Sequence, residues 1–222
     1  MEKYAIVLAG PSGAGKTTVA DALIARLGDL EMSRSATTRQ RRGDGRDDEY
    51  VYLTVEEFKQ SIAAGDVVEY TEYSGNFYGT RVCELERIFE MGKKPILVLD
   101  YYGVRSLKER LDYPVFAIYV YASLSETEKR LAERDIRSGD DEKKRLTRIK
   151  RAGENVNDYL HLGKFSGLFD FYTENGDLIT CVRSIENALE KMKQGIAVMT
   201  DEEKLCITGS FRKDAEAHRI EK

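Results

Sequence analysis

Apolar positions along the 222-residue chain alternate between short unbroken runs and longer stretches with helical spacing. Tyr4 to Ala9 (YAIVLA) is the first run. A strand that is apolar throughout is covered on both faces, as in a parallel sheet, so this run predicts a buried parallel strand. Pro95 to Asp100 (PILVLD) and Val115 to Val120 (VFAIYV) repeat the pattern, and Phe169 to Thr173 predicts a last strand before an Asn175-Gly176-Asp177 turn. Between the first two runs, Val19, Leu23 and Leu27 share one face of a helix over Lys16 to Leu27, with Ala20 and Ile24 beside them and Gly28 as the stop. Thr54-Val55-Glu56-Glu57 has the form of a capping box that opens a helix to about Ala64. Val67 to Tyr73 predicts a strand, and Ser74-Gly75-Asn76 a turn. Helices are also predicted over 82–91, 102–111 and most of 124–157, with Gly139 as a break. Helical spacing resumes from Ile185 to Met192. Strands alternating with helices predict an α/β fold, a doubly wound parallel sheet flanked by helices. Beyond about Gln194 the residues are polar and poorly patterned, which predicts a solvated tail over 195–222.

Composition narrows the field. Hydrophobic residues at 41% beside charged residues at 33% leave enough apolar side chains for one core with a well-solvated surface. A net charge of -4 removes the electrostatic basis for sequence-independent nucleic-acid binding. Cys83, Cys181 and Cys206 are far apart and odd in number, so they read as free thiols in a reducing compartment rather than as a metal or disulfide framework. The opening apolar run is too short for a signal peptide, and no stretch is long enough to span a bilayer. The expectation is a soluble, cytoplasmic protein without nucleic-acid or membrane partners.

Candidate chemistry begins directly after the first strand. Gly10-Pro11-Ser12-Gly13-Ala14-Gly15-Lys16-Thr17 fits G-x-x-x-x-G-K-[ST] in full. Glycines let backbone N–H groups converge on phosphate oxygens, and the following helix aims its positive end at the same anion. Lys16 supplies a mobile charge for the β- and γ-phosphates, and Thr17 a hydroxyl for Mg²⁺. The motif points to a nucleoside triphosphate, without distinguishing a kinase from a GTPase or an ATPase.

A second constellation separates them. Ser33 to Asp44 reads SRSATTRQRRGD, and further on stand Tyr50, Glu69 and Ser74-Gly75-Asn76-Phe77-Tyr78-Gly79-Thr80. Together with GPSGAGKT, these motifs resemble the guanylate kinase family from about Lys3 to about Met192. The resemblance implies ATP and GMP as substrates, Mg²⁺ with the ATP, and a P-loop-type core (1–194) with mobile GMP-binding (33–81) and lid (122–156) inserts. Ser35, Arg39, Arg42, Tyr50 and Tyr78 match the residues that clamp the GMP phosphate. Guanidinium forks and hydroxyls are suited to a dianion. Glu69, Thr80, Asp100 and Asp44 match the guanine-reading positions, and Gly79 is a further implied GMP contact. A carboxylate can accept from guanine N1–H and the 2-amino group together, whereas adenine offers no such pair. Arg137-Ser-Gly-Asp-Asp-Glu and Arg148-Ile-Lys-Arg-Ala152 resemble the lid, whose Arg137 and Arg148, with Arg134 nearby, close over the ATP phosphates. Lys16, Arg39, Arg42, Arg137 and Arg148 are thus the implied catalytic set. Residues Gly10 to Thr18, Arg134 and Asn175 are the implied ATP contacts, Asn175 near the adenine.

The sequence departs from the family at several places. Arg41 stands where the family has Pro, Asp44 where it has Glu, Val98 where it has Asp and Tyr102 where it often has Gln. The loop between Arg42 and Tyr50 is one residue shorter. The implied reaction is ATP + GMP (or dGMP) to ADP + GDP. The rivals are a non-catalytic guanylate-kinase-like binding module, which typically has a damaged phosphate loop and lies in a long chain; a kinase for another phosphorylated acceptor; and a GTPase switch, which would leave the second anion site unexplained. Oligomeric state is not encoded in any motif.

Overall fold

The computed structural model describes residues 3–41, 43, 47–73, 75–137 and 142–220. The chain divides into two compact units, Met1–Val7 with Ile24–Phe116, and Leu8–Leu23 with Ala117–Lys222. Strand β1 (Ala5–Ala9) contributes to both, and all of its residues are buried. Burial on both faces is the reason that a run without polar alternation forms a strand here. The central sheet has the order β2 (Leu30–Met32), β7 (Lys94–Val98), β1, β8 (Val115–Tyr121), β9 (Phe171–Glu174). Leu30 pairs with Lys94 in a parallel register, as does Ile118 with Phe171. The expected parallel sheet flanked by helices is therefore present, with β2 as a short strand that the apolar pattern did not predict.

In the first unit a second, four-stranded sheet has the order β4 (Tyr50–Tyr52), β3 (Ser35–Thr37), β6 (Asn76–Arg81), β5 (Val67–Tyr73). Helix α2 (Val55–Ala63) opens with the predicted capping box, the Thr54 side chain accepting from Glu57 N–H and the Glu57 side chain from the Thr54 N–H. Its Phe58 is fully buried and stacks on Phe77 at 5.4 Å between centroids, so one face of this sheet is covered. Helices α3 (Val82–Glu90) and α4 (Tyr101–Arg110) complete the unit. The strand predicted to run to Asp100 ends at Val98, because Asp100 caps α4 instead: its side chain accepts from the Gly103 N–H.

Helix α1 (Lys16–Leu27) begins in the second unit, as predicted. The long charged stretch forms α5 (Leu124–Arg137) and α6 (Glu142–His161), and Gly139 lies outside the described residues. Helix α7 (Leu178–Lys193) starts earlier than its apolar spacing suggests, with Asp177 as its cap.

The segment expected to be a solvated tail is instead a 20-residue helix, α8 (Asp201–Ile220). Thr200 and Glu203 form the same reciprocal cap as Thr54 and Glu57. Its inner stripe is Thr208, Phe211 and Ala215, all buried, flanked by Asp214 and His218. Polar residues interrupt that stripe, which is why hydrophobic periodicity does not reveal it. Phe211 stacks on Tyr159 of α6 at 4.7 Å, and Asp214 accepts from the Leu124 N–H at the start of α5. Among the described residues no helix is long and apolar enough to cross a membrane. All three cysteines are free.

Candidate active site

The loop from Gly10 to Thr17 lies in the second unit and joins β1 to α1. Glycine is required at Gly10, where φ is +144° and a Cβ would stand 1.9 Å from the Val120 carbonyl oxygen. It is required again at Gly15, where φ is +84° and a Cβ would stand 2.5 Å from the Asn175 side-chain nitrogen. Side chains hold the loop carbonyls. Lys16 Nζ donates to Gly10 O and Pro11 O, both at 2.9 Å. Asn155 Nδ2 donates to Ser12 O at 2.8 Å, and Asn175 Nδ2 to Ala14 O at 2.8 Å. Arg130 donates to Asn175 O at 2.7 Å and to Ala14 O at 3.4 Å. Carbonyls tied in this way leave a loop that can turn N–H groups toward an anion at the start of α1.

Burial lowers the Lys16 ammonium pKa to about 8, with Asp158 pulling it up and Arg134 pushing it further down. Thr17 and Thr18 stand in the first turn of α1. The residues from Gly10 to Thr18 thus form one continuous loop-and-helix start. Asn175 is 5% exposed and its amide is engaged on Ala14, so in this structure it supports the loop. Arg134 is exposed on α5. Arg137 and Arg148 lie on α5 and α6, but their side chains fall outside the described residues.

The first unit holds the other constellation. Strand register places Ser35 opposite Tyr50, Thr37 opposite Tyr78 and Glu69 opposite Thr80. Side chains alternate across a strand, so these six share the sheet face opposite the one that carries Phe77. Arg39 comes after β3. Its Nη2 donates to the Tyr52 hydroxyl at 3.1 Å, and its guanidinium carbon lies 5.2 Å from the Tyr50 ring centroid. Its Nη1 is buried and has no partner among the described residues. A buried guanidinium nitrogen with an open donor is suited to an anionic oxygen.

Farther along the same face, the Thr80 hydroxyl donates to Glu69 Oε1 at 2.6 Å. Burial raises the Glu69 pKa; the Thr80 bond opposes this, and the nearby Asp100 charge raises it further. Gly79 is buried against Phe58, and a Cβ there would stand 2.6 Å from the Glu69 carbonyl oxygen. Asp100 is exposed, with Oδ1 accepting from the Gly103 N–H at 2.8 Å. Arg42 and Asp44 lie outside the described residues.

Several supporting residues were not found from sequence. Thr37 is fully buried, donates to Phe77 O at 2.9 Å and accepts from the Arg39 N–H at 3.1 Å, which fixes the chain entering Arg39. Tyr52 donates to Asp47 at 2.7 Å while accepting from Arg39. Asn155 and Arg130 hold the phosphate loop. Tyr52 could have been found from its place two residues after Tyr50, on the same strand face; the others bond largely to backbone, for which a sequence carries no signal. Arg34, in the middle of the arginine-rich segment, is used elsewhere: it forms an ion pair with buried Glu84 at 3.0 Å. Arg41 lies over the Tyr52 ring at 4.4 Å.

A sequence model of the guanylate kinase family matches residues 2–192. The guanylate kinase of Clostridium perfringens is 35% identical over 185 residues, covering 83% of this chain and 81% of its own. That of Porphyromonas gingivalis is 36% identical over 188 residues, covering 83% and 95%. That of Sus scrofa is 33% identical over 195 residues, covering 86% and 95%. Among solved structures, the guanylate kinase of Anaplasma phagocytophilum superposes with a TM-score of 0.59 at 26% identity, covering 86% of each chain.

Proposed function

The chain belongs to the guanylate kinase family, and from that premise we infer that it transfers the γ-phosphoryl group of ATP to GMP, giving ADP and GDP. The observation that carries the acceptor assignment is the half-buried Glu69, bonded by Thr80, on the face that also bears Tyr50 and Tyr78. Guanine N1–H and the 2-amino group supply two donors to Glu69. Once they do, the Thr80 proton is free to turn to guanine O6. Adenine brings neither donor and would cover the half-buried carboxylate without pairing it, a mismatch that discriminates strongly. The reading extends to dGMP, because none of these contacts involves the ribose 2′-hydroxyl.

Arg39 presents its open Nη1 to the GMP phosphate, with Arg42, Ser35, Tyr50 and Tyr78 completing the clamp. Clamping offsets the negative charge that would otherwise keep the acceptor from a triphosphate. The acceptor phosphate oxygen is itself the nucleophile, so no general base is needed, and positioning with charge stabilisation does most of the work. The Gly10 to Thr17 backbone and Lys16 hold the ATP phosphates. Arg134, Arg137 and Arg148 add positive charge and exclude water on closure.

The donor set fits Mg²⁺ arriving with ATP rather than a resident ion. Thr17 offers one hydroxyl, and among the described residues no group of His, Cys, Asp and Glu could hold a metal. Mg²⁺ commonly binds through one or two protein groups together with phosphate oxygens and water, and it neutralises charge on the β- and γ-phosphates.

The test is ADP release from MgATP with GMP, dGMP, AMP, UMP or CMP, and without acceptor. Turnover confined to the guanine nucleotides is expected. Folded protein that binds ATP yet turns over none of them would overturn the reading in favour of a binding module.

A further inference from the structure

We propose that Asn155 is a positioning residue for phosphoryl transfer, holding the phosphate loop in its anion-binding form from helix α6. The side chain is 2% exposed, within the second unit. Its Oδ1 accepts from the Ser12 N–H at 2.9 Å, and its Nδ2 donates to the Ser12 carbonyl at 2.8 Å. A carboxamide presents a donor and an acceptor in one plane, so it pairs with a single residue's N–H and C=O as a neighbouring strand would. Both polar ends of this buried side chain are thereby satisfied, and so are both backbone groups of Ser12.

The placement matters because Ser12 stands just before the bend of the loop. Next in the chain come Gly13, at φ +89°, and, beyond Ala14, Gly15, at φ +84°, where the backbone takes the left-handed form. Fixing the Ser12 peptide sets the direction from which the next N–H groups turn inward. A loop fixed beforehand loses less conformational entropy when phosphate binds. The other holders of loop carbonyls come from different places: Arg130 from α5, and Asn175 from the end of β9. Asn155 ties α6 to the loop backbone in both directions, as donor and as acceptor. Arg148 stands two turns earlier on that helix, so the same bond pair fixes the root of the helix that carries it.

The inference rests on the phosphotransferase reading, but ATP binding can be measured without turnover. The test compares the full-length protein with Asn155→Ala and Asn155→Asp by calorimetric titration with MgATP and, separately, with GMP, alongside steady-state kinetics and thermal melting. Asn155→Ala leaves Ser12 unpaired and should weaken ATP binding about tenfold. Asn155→Asp keeps the side-chain volume, turns an acceptor toward the Ser12 carbonyl and adds negative charge beside the loop, so it should weaken ATP binding further. GMP affinity should be unchanged in both variants even where the melting temperature falls, a split that a purely structural role would not give. Unchanged ATP affinity in both variants overturns the proposal, and so does a parallel loss of ATP and GMP affinity. If Asn155→Ala does not fold, the Asp variant alone decides. A parent protein that binds ATP but never phosphorylates GMP would count against the proposed reaction, while the binding titrations still report on the loop.

Discussion

In the proposed reaction the two units prepare for phosphate by opposite means. In the second unit the recognition surface is backbone. Eight consecutive residues bend around glycines, and side chains from three elements, together with Lys16 itself, tie back the carbonyls of Gly10, Pro11, Ser12 and Ala14. In the first unit the surface is side chain. Ser35, Tyr50, Tyr78, Glu69 and Thr80 come from four strands and share a face only because of the register. A backbone site is generic for anions and is encoded locally. A side-chain site can carry specificity, but it exists only once the sheet has formed.

The largest expected effect sharpens this contrast at Lys16, the one charged side chain that the phosphate loop motif itself contributes. Lys16→Ala should lower kcat about 10³-fold, with GMP binding intact, as read by initial rates and titration. Near-normal turnover would mean that backbone N–H groups alone suffice.

A smaller, graded effect is expected from the Lys16 pKa near 8. Here burial lowers the value, so the ammonium is charged below pH 8 and neutral above it. The ratio kcat/KM for ATP reports ionisation in the free enzyme. It should be flat up to about pH 8 and fall about tenfold per pH unit above it, whereas GMP binding should not track that titration. A flat profile to high pH would show that Lys16 stays charged before ATP arrives.

The smallest effect concerns the acceptor half. Tyr52 accepts from Arg39 and donates to Asp47. Tyr52→Phe keeps the ring against which Arg39 packs and removes only that relay, so KM for GMP should rise about fivefold with kcat for saturating GMP unchanged. If KM for ATP moves equally, the relay is not specific to the acceptor half.

Legibility in the sequence divides along the same line. The loop from Gly10 to Thr17 and helix α1 are readable residue by residue, because the motif is contiguous and a covered strand precedes it. The acceptor residues are readable only through resemblance, since nothing in local spacing says that Ser35 will face Tyr50 or that Glu69 will face Thr80. Asp100 reads as a strand end, although the side chain caps α4; an acid before a helix serves either purpose in a sequence. Helix α8 shows a missed signal. Thr200-x-x-Glu203 is the same capping box that reveals α2 at Thr54, but the stripe behind it mixes Phe211 and Ala215 with Thr208, Asp214 and His218. Asn155 and Arg130 carry no signal, because their partners include backbone atoms far away in the chain.

If the two units recognise two different anions by separate machinery, as proposed, they should be separable by mutation. The most direct test is crossed titration of MgATP and GMP into the parent protein, Lys16→Ala and Arg39→Ala. Lys16→Ala should lose ATP affinity and keep that for GMP, while Arg39→Ala should lose GMP affinity by about 10- to 100-fold and keep that for ATP. Arg39→Ala protein that binds GMP as tightly as the parent, or either variant weakening both ligands alike, would contradict this separation.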